Sequence, residues 1–370
     1  MEVEVYKRSP AHDRLYLKFK PTSLALKLSR PARYLDKLKL LNLVLITPLS
    51  RTAWACCFKF DLPVHVNLTG PRFNVPELTN SYKSTAFIIG SVSRNVNGSA
   101  LTGGEGHIDR SYKIHFQYCE PKSEESYWDF GGEVSNYIKA ANAAGYATLN
   151  YDRLGVGKSE HADPYFDVQL NTQIAILKRL MELVQSEHLS KHIPVPGKIV
   201  HVGNSYGSLI TDGLTTTLEL CLGFEVAGES NTERFGALAS GYLTWGREYS
   251  NQCVFFDYPF FEIEVLKKAE AGKAPFATAE LLSFTSVDIA APGFRKPVLQ
   301  MLSGQADLPF CGGECHGILD GPDAPSPSVF LNTSPFLTYV HPNAAHGINL
   351  HHNASAAYEV VNTSLGENGL

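Results

Sequence analysis

The 370-residue chain is short of several things, and each shortage excludes a class of protein. Only 19% of residues are charged against 44% hydrophobic, a globular balance and not that of a disordered, solvating chain. No internal repeat or low-complexity tract occurs, which sets aside repeat arrays; PDAPSPS at 322–328 is merely a proline-rich loop. The apolar run from Leu40 to Leu49 is too short, and too broken by Asn42 and Pro48, to be a stable membrane span. Cysteines number seven, an odd count for so long a chain and no disulfide framework. Gly155-x-Gly157 lacks a third glycine in register, so it is not a dinucleotide fingerprint. Only His316 joins Cys311 and Cys315 as a nearby His or Cys ligand, too few for zinc, and no cofactor is expected.

The charge that is present is uneven. Residues 1–40 hold ten Lys/Arg against four acids, a balance of +6, so with a total of −5 the remaining 330 residues sum to −11. An acidic body argues against nucleic acid as the partner. The basic head, residues 1–55, reads as a separate leader. Within it KLKLLNLVLITPLSRTAWA (37–55) has two lysines, an apolar run and Ala53-Trp54-Ala55, the layout of a secretory signal peptide. A buried helix or strand is the competing reading. A signal should begin the chain, yet no methionine lies between Met1 and Met181; a wrongly joined leader would account for that. Five glycosylation acceptor patterns, at Asn67, Asn97, Asn332, Asn353 and Asn362, favour a secreted protein. Cys311-Gly-Gly-Glu-Cys315 is the expected disulfide, closing a small glycine-softened loop.

Along the chain, strands are expected at Cys57–Val66, Thr85–Val92, Tyr112–Tyr118, Tyr146–Tyr151, Lys198–Val202, Phe235–Leu243, Pro297–Leu302 and Phe336–Val340. Helices are expected near Glu133–Ala144, over 166–187, at Ser208–Leu220, near Glu262–Ala271 and near Leu350–Val361. The 166–187 helix rests on Leu170, Ile174, Leu177, Met181 and Val184, spaced four, three, four and three. Strands alternating with helices predict an α/β chain with a doubly wound, mostly parallel sheet.

Gly203-Asn204-Ser205-Tyr206-Gly207 follows a strand and precedes a helix, the context in which G-x-S-x-G carries weight. The turn needs small flanks, leaves Ser205 in a strained conformation, and aims a helix N-terminus at developing negative charge. Ser205 is the candidate nucleophile, with the Tyr206 N–H as oxyanion donor; an inert serine in a glycine-bounded turn is the plainer reading. An acid and a base should follow in that order. Asp307, just past the strand Pro297–Leu302, is the candidate acid, with Asp320 and Asp323 as rivals. His346, in a loop before Gly347, is the candidate base. His341 follows its strand too directly, and His351 and His352 are assigned to the terminal helix.

YDRLGVGKS (151–159), GNSYG, GQAD (304–307) and HGINLH (346–351) together resemble the α/β-hydrolase superfamily, and most of all its secreted serine hydrolases of fungal type. The resemblance spans roughly residues 56–366. It implies a hydrolase domain with a cap insertion at about 245–290, and cleavage of a small-molecule or lipid-like ester (or an amide) through an acyl-Ser205 intermediate. The cap aromatics Tyr242, Trp245, Phe255, Phe256, Tyr258, Phe260 and Phe261 either line an acyl pocket or form ordinary core.

One family feature is missing. The strand and His-Gly-type loop that supply a second oxyanion N–H should follow Tyr118, where the chain instead reads CEPKSEESYWDFGG (119–132). About fifteen to twenty residues, a strand plus its loop, are absent. Three explanations compete: a gene model lacking an exon, a catalytically impaired hydrolase-like binding protein, or a hole rebuilt by 119–132. The internal signal-like segment favours the first, and transcript sequencing should then recover an apolar segment near Lys122–Ser126.

Overall fold

The computed structural model describes residues 2–6, 41–46, 58–91, 101–118, 137, 140–141, 144, 147–186, 189, 193, 195–196, 198–212, 224–284, 286–287, 290–321, 324 and 329–368. Helices and strands are mixed along the chain, and one eight-stranded sheet carries the molecule. Its strands are β1 (Glu2–Tyr6), β2 (Leu41–Ile46), β3 (Phe58–Phe73), β4 (Thr102–Tyr118), β5 (Ala147–Tyr151), β6 (Lys198–Gly203), β10 (Val298–Gly304) and β11 (Phe336–His341). A second sheet holds β7 (Phe224–Val226), β8 (Tyr242–Trp245) and β9 (Phe276–Ala277).

The order of the large sheet is β11-β10-β1-β6-β2-β5-β4-β3. The expectation of a mostly parallel sheet is corrected here. Only β10 and β11 pair in parallel; every other ladder between described strands is antiparallel. The reason lies in the two strands from the head of the chain. β1 lies antiparallel between β6 and β10, and β2 lies antiparallel between β5 and β6. β5, β6, β10 and β11 therefore still run in one direction, with their carboxyl ends on one edge of the sheet. Leu41–Ile46, the middle of the signal-like segment, is thus a sheet strand in this structure.

β3 and β4 form a long hairpin whose register runs from Phe58 opposite Tyr118 to Phe73 opposite Thr102. Val64 and Val66 face the core while Asp61, Pro63, His65 and Asn67 face solvent, the two-residue period of a half-buried strand. Of Thr85–Val92, expected as a strand, Thr85 to Ser91 belong instead to a helix, Ser81–Ser91. Asn80 Oδ1 accepts the Lys83 N–H at 3.0 Å, a helix-starting cap, and Ser84 and Ile88, four apart, form its buried face. Phe235–Leu243 is likewise not a strand throughout. A helical turn ends at Phe235, Gly236 to Gly241 break the chain, and only Tyr242–Trp245 joins a sheet.

The helix Leu170–Gln185 buries Leu170, Leu177 and Val184 as its period requires, with Ile174 and Met181 packed at the margin. It lies against the main core with Val200, Val202, Leu149 and Phe116. The helix expected near Glu133–Ala144 and the second half of Ser208–Leu220 fall largely outside the described residues. The terminal helix runs Ala354–Glu367, starting later than expected.

Candidate active site

β6 ends in Gly203, and the chain turns at once into the helix Tyr206–Asp212. A Cβ on Gly203 would lie 2.7 Å from Ser208 N and 2.8 Å from Gly207 O, so strand and helix meet here backbone to backbone. Ser205, at the apex, has φ 55°, a left-handed conformation that costs a side-chain-bearing residue about 1–3 kcal/mol. Among the described residues only Asn343 shares it without being glycine, and asparagine tolerates it far better. The N–H groups of Gly207 and Ser208 are taken by Asn204 O and Ser205 O at 2.9 Å each. Tyr206, the first helical residue, has no acceptor one turn back for its own N–H.

Asp307 and His346 meet directly. His346 Nδ1 lies 2.7 Å from Asp307 Oδ2, and both side chains are buried. Asp307 Oδ1 accepts the Phe310 N–H at 2.8 Å, capping the turn Leu308–Cys311, so each carboxylate oxygen has its own donor. With Nδ1–H facing Asp307, His346 presents Nε2 as its free basic nitrogen.

The backbone explains how residues 39 apart come together. A Cβ on Gly304 would clash with Ala344 O, so the loop after β11 crosses directly over the end of β10. Hydrogen bonds from Gln305 N to His341 O (2.8 Å) and Ala306 N to Ala344 O (2.9 Å) fix that crossing. Cys311 and Cys315 are joined by a disulfide with Cα atoms 5.1 Å apart, closing the next turn. Asp320, the rival acid, lies in an exposed turn bonded to His316 and the Gly317 N–H; Asp323 lies outside the described residues.

Ser205 sits on the same edge. Gly203 and Gln300 both pair with Glu2, one on each side, so β6 and β10 are about 10 Å apart at that level. Ser205, Asp307 and His346 each follow the carboxyl end of a strand running in the shared direction.

Beneath the elbow lies a polar network that the sequence did not single out. Arg153, in YDRLGVGKS, contacts Glu280 in a buried ion pair and stacks 4.7 Å over the Tyr206 ring. Glu280 also accepts from Ala277 N (2.9 Å) and Gln173 Nε2 (3.3 Å). Burial lowers the Arg153 guanidinium and raises the Tyr206 phenol from their ordinary values. The available signal was an isolated acid inside the apolar stretch FATAELL (276–282).

The aromatics of 242–261 do not share one role, and Tyr249 and Tyr258 are exposed. Tyr242, Phe256 and Phe261 are buried core. Phe255 is half-buried with its ring 5.5 Å from that of His346, Phe310 lies 5.0 Å from it, and Trp245 meets Phe255 edge-on. His351 does not lie on the terminal helix; it follows the 3₁₀ turn Ile348–Leu350 in the loop that carries His346. The segment expected to lack an oxyanion loop, 119–132, lies outside the described residues. Among the described residues no group of His, Cys, Asp and Glu could hold a metal ion, and no helix is long and apolar enough to cross a membrane. No protein-family model matches the chain, and no curated protein matches it significantly.

Proposed function

We propose that this chain is a serine hydrolase of α/β-hydrolase fold that cleaves a carboxylic ester, or an amide, through an acyl-Ser205 intermediate. One observation carries the reading: Ser205 stands at φ 55° on the sheet edge that also bears a buried Asp307–His346 pair at 2.7 Å. A strained serine at a strand-to-helix turn together with a carboxylate-oriented imidazole is the arrangement acyl transfer requires.

In the proposed reaction His346 Nε2 takes the Ser205 hydroxyl proton as the oxygen attacks the substrate carbonyl. Asp307 holds the Nδ1–H tautomer and stabilises the imidazolium that forms. The Tyr206 N–H faces the developing oxyanion. His346 then protonates the leaving group, and water, activated by the same imidazole, releases the acid. Phe255 and Phe310 beside His346 favour an apolar group near the scissile bond, in keeping with a small-molecule or lipid-like ester. Residues 245–290 act as the cap.

The protein is also proposed to be secreted and glycosylated. Of the five acceptor asparagines, Asn67 is exposed on β3, whereas Asn332 and Asn353 donate their side-chain amides to Pro292 O and Pro342 O at 2.7 Å. Asn67 is one expected glycan site; Asn97 lies outside the described residues.

A fluorophosphonate probe tests the activity. Labelling of the wild type and none of Ser205→Ala is the expected outcome. Folded wild type that stays unlabelled would identify a hydrolase-like binding protein instead.

A further inference from the structure

The loop that carries His346 is strapped to residues 255–260. Gly347 N donates to Phe255 O at 3.1 Å and His352 N donates to Phe260 O at 2.9 Å. Between these two bonds lies the His351 imidazole, buried and walled by the rings of Phe256 and Phe261. Its Nδ1 lies 2.9 Å from Gly347 O, a pairing in which the nitrogen must donate. Its Nε2 accepts from two backbone N–H groups, Asp257 at 2.8 Å and Ala345 at 3.3 Å. One ring thus ties the residue before His346, the residue after it, and the cap segment that places Phe255 on His346.

We propose that His351 is a positioning residue for His346, acting as a neutral Nδ1–H imidazole that fastens the His346 loop to the cap. The proposal rests on the hydrolase reading above. The hydrogen bonds dictate the charge state. An imidazolium donates from both nitrogens, so protonation would set Nε2–H against the Asp257 and Ala345 N–H groups and open the strap. Burial pushes the His351 imidazole down to about 4, with His341 and His352 adding repulsion. The other titratable groups nearby are the Asp257 carboxyl, itself raised by burial, and Glu262, which pairs with His352 at 3.1 Å. His346 is five residues earlier in the same loop. Geometry needs such a fastening, because a displacement of about 1 Å in a catalytic group costs on the order of 10²-fold in rate.

The test uses the full chain and the rate of fluorophosphonate labelling from pH 3.5 to 8, with circular dichroism recording the folded fraction at each pH. His351→Gln places an acceptor near the Nε2 position and cannot be protonated; His351→Phe removes the acceptor. At pH 7 the Phe variant should label about tenfold to a hundredfold more slowly than wild type, and the Gln variant within about threefold. On the acid side, wild type should lose rate with a slope steeper than one proton, while His351→Gln keeps a one-proton limb. Equal labelling by all three proteins, or an equally steep limb in the Gln variant, would overturn the proposal. Should the Phe variant not fold, the acid limb of the Gln variant alone decides. Wild type unlabelled at every pH defeats the hydrolase reading itself and this proposal with it, a result distinct from labelling that ignores residue 351.

Discussion

The Asp307–His346 pair sets the sharpest expectation at the level of single residues. Asp307→Asn can still accept the Phe310 N–H, yet it no longer holds His346 in the Nδ1–H tautomer. Turnover should therefore fall about 10⁴-fold while the melting temperature moves only a few degrees, measured by ester hydrolysis and thermal denaturation in parallel. Gly203→Ala is the opposite case. Its new methyl would sit 2.7 Å from Ser208 N, backbone that cannot swing aside. A loss of about 2 kcal/mol in stability is expected from denaturant titration, with slower probe labelling because the elbow must shift. The elbow glycine, the serine and the order of acid and base were all legible in the sequence, since each is a local or ordinal feature. His351 was not, because its role rests on three backbone partners that only the folded loop brings to one ring.

Among elements, the turn after β5 is tied to a later helix through buried charge. Arg153 from the turn after β5 and Glu280 from the helix Thr278–Leu282 are both buried, and Arg153 carries the ring of Tyr206. Glu280→Leu strands the guanidinium and removes an acceptor from Ala277 N and Gln173. It should cost about 3–5 kcal/mol by chemical denaturation, and adding Arg153→Met should recover most of that loss. Element types were read well where one period dominated. The helix Leu170–Gln185 and strands β5, β6, β10 and β11 match their expected positions to within a few residues. Ser81–Ser91 was misread because TAFII (85–89) has strand-like composition, while the Asn80 cap that starts the helix is a single residue upstream.

For the whole molecule, buried neutral histidines contribute to the response to acid. His201 on β6 and His351 both lie near 4, pushed below their ordinary 6.5 by burial. The unfolded chain therefore takes up protons first as pH falls. The contribution of each histidine is complete above about 6.5, falls by about 1.4 kcal/mol per pH unit below that, and levels below about 4. Denaturation midpoints measured across that window should show the decline, and His201→Gln should make it shallower.

The sequence by itself determined the strand-to-helix turn at Ser205, the candidate acid and base, and the alternation of strands and helices, because glycine sterics and hydrophobic period act within a few residues. Tertiary structure alone decided the rest. Strand pairing depends on contacts between distant segments, so nothing local announced that β1 and β2 would enter the sheet antiparallel and interleave the strands that share a direction. The same reason applies to Asp307 and His346, which meet because a loop crosses a glycine at the end of a neighbouring strand. It applies equally to Arg153 and Glu280, buried charges 127 residues apart that only the folded chain makes partners.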